Sequence, residues 1–303
     1  MAPPLAARVP VILALLVAVA AALAPLAAAQ PWAVCDAQSG NYSAGSTYAA
    51  NLLWLVSALR ANASNSPALF ASGSAGAGAG AVYGLVLCRG DVSASDCFDC
   101  GTRAGEDVQR VCNRTRDAAL VYNQCYVRFA AADFLASPDN TGMVPLISGT
   151  SIPSGVDVAA YDAAVTRLLN ATARYAVDGS PPSSSSSPRL YFATGQLVGL
   201  DPQVPNIWSM AQCAGDLTPA QCRGCLGDLV ATWWNGSGFE PNGEGARLAG
   251  SRCNLRSELG DRFYTGAPMV KLQMNGDATV PAPAPSTVPV PGTTGGESPP
   301  LGS

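Results

Sequence analysis

The sequence predicts an α+β fold arranged as two tandem disulfide-stapled domains, each an antiparallel sheet packed against two helices. Three observations carry this expectation. Cys88-x8-Cys97-x2-Cys100 recurs as Cys213-x8-Cys222-x2-Cys225, which accounts for six of the ten cysteines. Neighbouring residues align at the same offset, Val82-Tyr83 facing Ile207-Trp208 and Gly90-Asp91 facing Gly215-Asp216. Each copy also runs through helical, Gly/Ser-rich and strand-like segments in the same order. A period above about a hundred residues is too long for a solenoid and suits tandem domains.

The elements follow in turn. Ser46 to Arg60 sets Leu52, Leu55, Val56 and Leu59 at helical spacing, with Ser46 or Thr47 as N-cap. Val158 to Tyr175 is its counterpart, with Tyr161, Val165, Leu168, Leu169 and Thr172 in period. The low-complexity runs Ser72 to Gly80 and Asp178 to Pro188 bury too little apolar surface to order themselves and are expected as mobile loops. Strands are expected at Ala81 to Cys88, and at Leu190 to Val198 with Ile207 to Cys213. A second helix begins near Ser93 and Thr218, each able to cap the turn that carries C-x2-C. Leu120 to Phe129 reads as one half-buried alternating strand, and Arg247 to Leu255 as its less regular counterpart.

Compartment decides what the cysteines are. Arg8, the apolar run Val11 to Leu23, Pro25 and Ala27-Ala28-Ala29 make residues 1–29 a signal peptide. The domains are expected at 30–137 and 138–275, followed by a disordered Pro-rich tail at 276–303 that includes Val280-Pro281-Ala282-Pro283-Ala284-Pro285. No later stretch is apolar enough to span a membrane, so the expectation is a secreted, extracellular chain. Sequons at Asn41, Asn62, Asn113, Asn170 and Asn235 suit that compartment as glycosylation sites. An even cysteine count there reads as a disulfide framework. Zinc is disfavoured because the C-x2-C halves sit in different repeats and the chain has no histidine. A thiol-redox role for Cys97-Phe98-Asp99-Cys100 is the alternative from another class.

The first repeat holds Cys35, Cys88, Cys97, Cys100, Cys112 and Cys125, and the second lacks counterparts of both Cys35 and Cys112. Losing one partner strands a thiol, whereas losing both strands none. Cys35 is therefore inferred to bond Cys112. The remaining four cysteines of that repeat can pair in three ways, and spacing does not choose among them.

The tandem C-x8-C-x2-C motif behind a signal peptide resembles the ginkbilobin-homologous domain of plants, also called the stress-antifungal domain or domain of unknown function 26. Gly245-Ala246-Arg247-Leu248, Ser251-Arg252-Cys253-Asn254-Leu255-Arg256 and Pro205-Asn206-Ile207-Trp208-Ser209-Met210-Ala211-Gln212-Cys213 carry the likeness in the second copy. It covers about residues 31 to 275 and extends to secreted cysteine-rich repeat proteins, plasmodesmata-located proteins and the ectodomains of cysteine-rich receptor-like kinases. The pairing it implies is Cys35 with Cys112, Cys88 with Cys97, Cys100 with Cys125, Cys213 with Cys222 and Cys225 with Cys253. In receptor kinases of this family a Pro-rich segment precedes the membrane helix, so a truncated ectodomain is a further reading of the tail.

The resemblance also implies a mannose site built from an Asn after the first cysteine, an Arg six residues before the last and a Glu five residues after it. The first domain has Asp36, Ala119 and Ala130 at those positions, so the site is lost there. The second keeps Arg247 and Glu258, which could grip vicinal hydroxyls. Trp234, adjacent to Trp233 and before a Gly-rich stretch, is a third candidate contact.

Other classes fare worse. Without histidine there is no Ser-His-Asp or Cys-His system, and no catalytic residue or cofactor is assigned. Asp96, Asp99, Glu106 and Asp107 read as a solvated helix face. Gly76 to Gly80 lack the lysine of a phosphate loop. A net charge of −4 with no basic run gives no support for nucleic-acid binding. The expectation is a non-enzymatic binding protein of the plant apoplast linked to defence or stress signalling, with an extracellular protein or glycan as partner. A mannose-type lectin with antifungal action is the runner-up.

Overall fold

The structure is a computed structural model and describes residues 31–180, 188–235 and 242–274. The expected signal peptide, the tail at 276–303 and the serine run within 181–187 lie outside those residues.

The first domain runs β1 (Trp32–Cys35), α1 (Thr47–Asn65), β2 (Phe70–Ala75), β3 (Val82–Cys88), α2 (Ala94–Val111), β4 (Asp117–Val121) and β5 (Cys125–Ala130). Its antiparallel sheet has the order β1-β4-β5-β3-β2. The Ser46 hydroxyl accepts the Ala49 N–H at 3.2 Å, which starts α1. That helix buries Leu52, Leu55 and Leu59. Ser93 caps α2 through Asp96 N–H at 3.0 Å, placing Cys97 and Cys100 on the inward side of its first turns.

The second domain runs β6 (Val144–Ile147), α3 (Val158–Asp178), β7 (Tyr191–Asp201), β8 (Val204–Cys213), α4 (Pro219–Thr232), β9 (Gly245–Ala249), β10 (Cys253–Leu259) and β11 (Val270–Gln273). The sheet order is β11-β7-β8-β10-β9-β6. One pair departs from the expected pattern, since β11 lies parallel to β7. Thr218 and Gln221 form a reciprocal capping box at α4, with Pro219 at its first turn.

Disulfides Cys35–Cys112, Cys88–Cys97 and Cys100–Cys125 staple the first domain, and Cys213–Cys222 and Cys225–Cys253 the second. Every cysteine is bonded, and Cys97 and Cys100 each take a partner outside their shared motif. Both are fully buried, which removes the exposed thiolate that a redox role requires.

Three expectations are corrected. Ser72 to Gly80 is no mobile loop. Its first half completes β2 against β3, and its second half turns through a 3-10 segment that Asn51 clamps by donating to the Gly80 carbonyl at 2.8 Å. Gly76 is needed there, because φ is +75°. Leu120 to Phe129 is a hairpin of β4 and β5, and Arg247 to Leu255 likewise spans parts of β9 and β10. Asp107 is buried, paired with Arg110 and accepting the Tyr122 hydroxyl at 2.8 Å, so the acidic run on α2 is not wholly a solvated face.

The hairpin strands do not alternate in burial because both faces of the first sheet are covered. Val86, Leu120, Val127 and Phe129 belong to the core beneath α1 and α2. Leu85, Leu87, Ala119, Val121 and Tyr126 belong instead to one apolar cluster shared with the second domain. The two sheets meet face to face, with helices outside. Gln212 donates to the Cys88 carbonyl at 2.7 Å within this buried interface. Thr265 N–H and hydroxyl reach Asp91 at its edge.

Candidate functional site

The sheet register assembles the site. Met210 lies opposite Arg256, Arg256 opposite Arg247 and Arg247 opposite Leu146, so one row of side chains crosses β8, β10, β9 and β6 on the face turned to the first domain. Glu258 is two residues along β10 from Arg256 and therefore on the same face. Trp32 of β1 and Asn123 of the β4–β5 turn close the opposite wall. Between them lies a cavity of about 540 Å³, whose remaining wall is Pro145 to Ile147 of β6 and Ser148 just after it.

Its electrostatics are uneven. Arg256 donates from Nε to Glu258 Oε1 at 3.0 Å and stacks its guanidinium 4.0 Å from the Phe263 ring centre. Arg247 is buried and donates from Nη1 to the Tyr122 carbonyl at 2.8 Å, across the domain boundary. A longer contact of 3.5 Å joins its Nη2 to Asn254 Oδ1, and its buried Nε has no hydrogen-bond partner. None of the ion pairs among the described residues includes Arg247. Burial, with Arg256 and Arg89 nearby, pulls its pKa down to about 9. Burial pushes the Glu258 carboxyl up, against the pull of Arg256.

Arg247 and Glu258 thus line one cavity, but they are not paired as a clamp: Glu258 is engaged by Arg256. Trp234 lies elsewhere. It is half-buried, donates its indole N–H to Thr166 Oγ1 at 3.0 Å, and packs edge-on to the buried Trp233. In the first domain Asp36 caps a short turn by accepting the Gln38 N–H at 2.8 Å, while Ala119 and Ala130 are buried. All five sequon asparagines are exposed.

Sequence reasoning missed Arg256, Trp32 and Asn123. Arg256 could have been found from its period-2 relation to Glu258 on one strand. Trp32 and Asn123 carry no such signal, because they enter the site only through docking of the other domain.

The geometry lets the cavity recognise polar ligands through charge-assisted hydrogen bonds from two guanidiniums and acceptance by one carboxylate, with apolar walls beside them. Residues 34–132 and 151–259 each match the family model described as salt stress response/antifungal. Cysteine-rich receptor-like protein kinase 10 of Oryza sativa subsp. japonica is 36% identical over 251 residues, covering 82% of this chain and 37% of that protein. Antimicrobial ginkbilobin-2-like protein of Castanea crenata is 28% identical over 221 residues, covering 72% of this chain and 83% of that protein. The chain spans about a third of the length of the receptor-like kinases it matches. Among solved structures, the tandem DUF26 ectodomain of the Arabidopsis thaliana cysteine-rich receptor-like protein PDLP5 shares the fold, with a TM-score of 0.56 at 22% identity over 77% of this chain and 100% of that one.

Proposed function

From the premise that the chain belongs to the salt stress response/antifungal family, carrying two of its domains in tandem, we propose a non-enzymatic extracellular recognition protein. Its ligand is taken up in the cavity between the domains, in the context of defence or stress signalling. The observation that carries this reading is the cavity itself: about 540 Å³, walled by both domains, with two guanidiniums and a carboxylate on one face. Volumes of roughly 300–1,000 Å³ with a few convergent polar groups are typical of ligand sites. The oxidised framework and the exposed sequons support an extracellular setting, and among the described residues no helix is long and apolar enough to cross a membrane.

The test is glycan-array binding by the secreted chain, with Arg247→Ala and Glu258→Ala beside it. Signal lost in both variants supports the cavity as the site. Binding indifferent to both removes it.

A further inference from the structure

We infer that the interdomain cavity is built for an acidic saccharide, one whose sugar units carry a carboxylate as well as hydroxyls; this rests on the cavity being the ligand site. Arg247 and Arg256 are direct cross-strand partners on the same face. Like charges so placed repel, and a strand pair ordinarily avoids them. Glu258 answers one of the two, through Arg256. Arg247 is left with a backbone carbonyl and an amide oxygen as its acceptors, and with a buried Nε that meets none. A buried guanidinium without a carboxylate partner is costly. The wall therefore holds one positive charge in excess, beside an open volume, and an anion entering that volume supplies the missing partner.

The rest of the wall selects among anions. Glu258 repels a bare phosphate or sulfate but accepts hydrogen bonds from hydroxyls, so the ligand presents donors next to its negative group. Trp32 lines the same space, and an indole is a side chain on which a sugar ring can stack. Asn123 lines the first-domain side, its carbonyl held by Arg89 Nη1 at 3.1 Å. Hydroxyls, one carboxylate and a ring face describe a uronate unit better than an acidic peptide.

The experiment is isothermal titration of the secreted chain with a linear trimer of galacturonate, its fully methyl-esterified form and mannotriose. Binding of the acid trimer with at least tenfold weaker binding of the ester is expected. Arg256→Gln should weaken the acid trimer at least tenfold and narrow its margin over the ester, and affinity should fall as salt is raised. Ser148→Trp, which fills the cavity from the residue after β6 without removing a charge, should abolish binding and guards against a misfolded Arg256 variant. Equal binding of acid and ester, or displacement of the trimer by equimolar sulfate, overturns the proposal. Mannotriose bound and then lost in Ser148→Trp, with the acid trimer inert, keeps the cavity as the ligand site and removes the acidic class. No saccharide bound at all removes both.

Discussion

Arg247 Nη1 donates a 2.8 Å hydrogen bond to the backbone carbonyl of Tyr122, so a side chain of the second sheet holds the hairpin turn of the first. Gln212 makes a comparable link to the Cys88 carbonyl, but sealed between the sheets rather than beside a cavity. Their removal should differ. Arg247→Met discards an unpaired buried charge and lets water from the cavity reach Tyr122, so stability should stay within about 1 kcal/mol of the parent. Gln212→Leu strands a buried carbonyl and should cost about 1–3 kcal/mol. Urea unfolding of both variants checks this, and a larger loss for Arg247→Met would contradict it.

The Cys35–Cys112 bridge spans 77 residues and ties β1 to the end of α2. In the chain-entropy model a loop of that length is worth about 4.5 kcal/mol. Replacing both cysteines by serine should lower stability by about that amount, leaving the four other bridges formed. Guanidinium denaturation with mass-spectrometric disulfide mapping measures both quantities.

Helix glycines behave differently in the two domains. A Cβ on Gly105 of α2 would run into Val56 of α1, while Gly224 and Gly227 of α4 meet nothing within 4 Å. Gly105→Ala should destabilise by about 1–3 kcal/mol through overpacking. Gly224→Ala and Gly227→Ala should each stabilise by about 0.5–1 kcal/mol by restricting the unfolded chain. Melting curves showing the same sign for all three would refute this contrast.

Asp162 on α3 has a buried Oδ1 without a partner, and burial raises its pKa from 3.8 to about 6. The folded chain favours the neutral carboxyl, whereas the unfolded chain ionises at the ordinary value. The contribution of Asp162 to stability is therefore complete below about pH 4 and is lost as pH rises through about 6. Asp162→Asn should melt above the parent at pH 7.5 and level with it at pH 3.5. A pH-independent gap would dismiss the titration of Asp162 as its source.

Much of the fold was legible. Ser46, Ser93 and Thr218 are polar caps at the heads of periodic apolar runs, and each starts its helix through a local hydrogen bond that needs no distant partner. The hairpin at Leu120 to Phe129 reads as a single strand in sequence, because its turn at Tyr122 to Gln124 carries no Gly or Pro to mark it. The glycine-rich segment at 72–80 is ordered against its composition. Composition predicts mobility, but strand pairing and the Asn51 clamp supply order from outside the segment.

By itself the sequence determined the tandem arrangement and the α+β class, because spacing, capping and period are local properties of the chain; Arg247 and Glu258 became candidates through what the family resemblance implies. What the tertiary structure alone decided is the cavity. It exists because two sheets dock face to face, which brings Trp32 and Asn123 opposite β9 and β10. Contacts between residues a hundred or more positions apart are set by packing of whole surfaces, which no local pattern encodes.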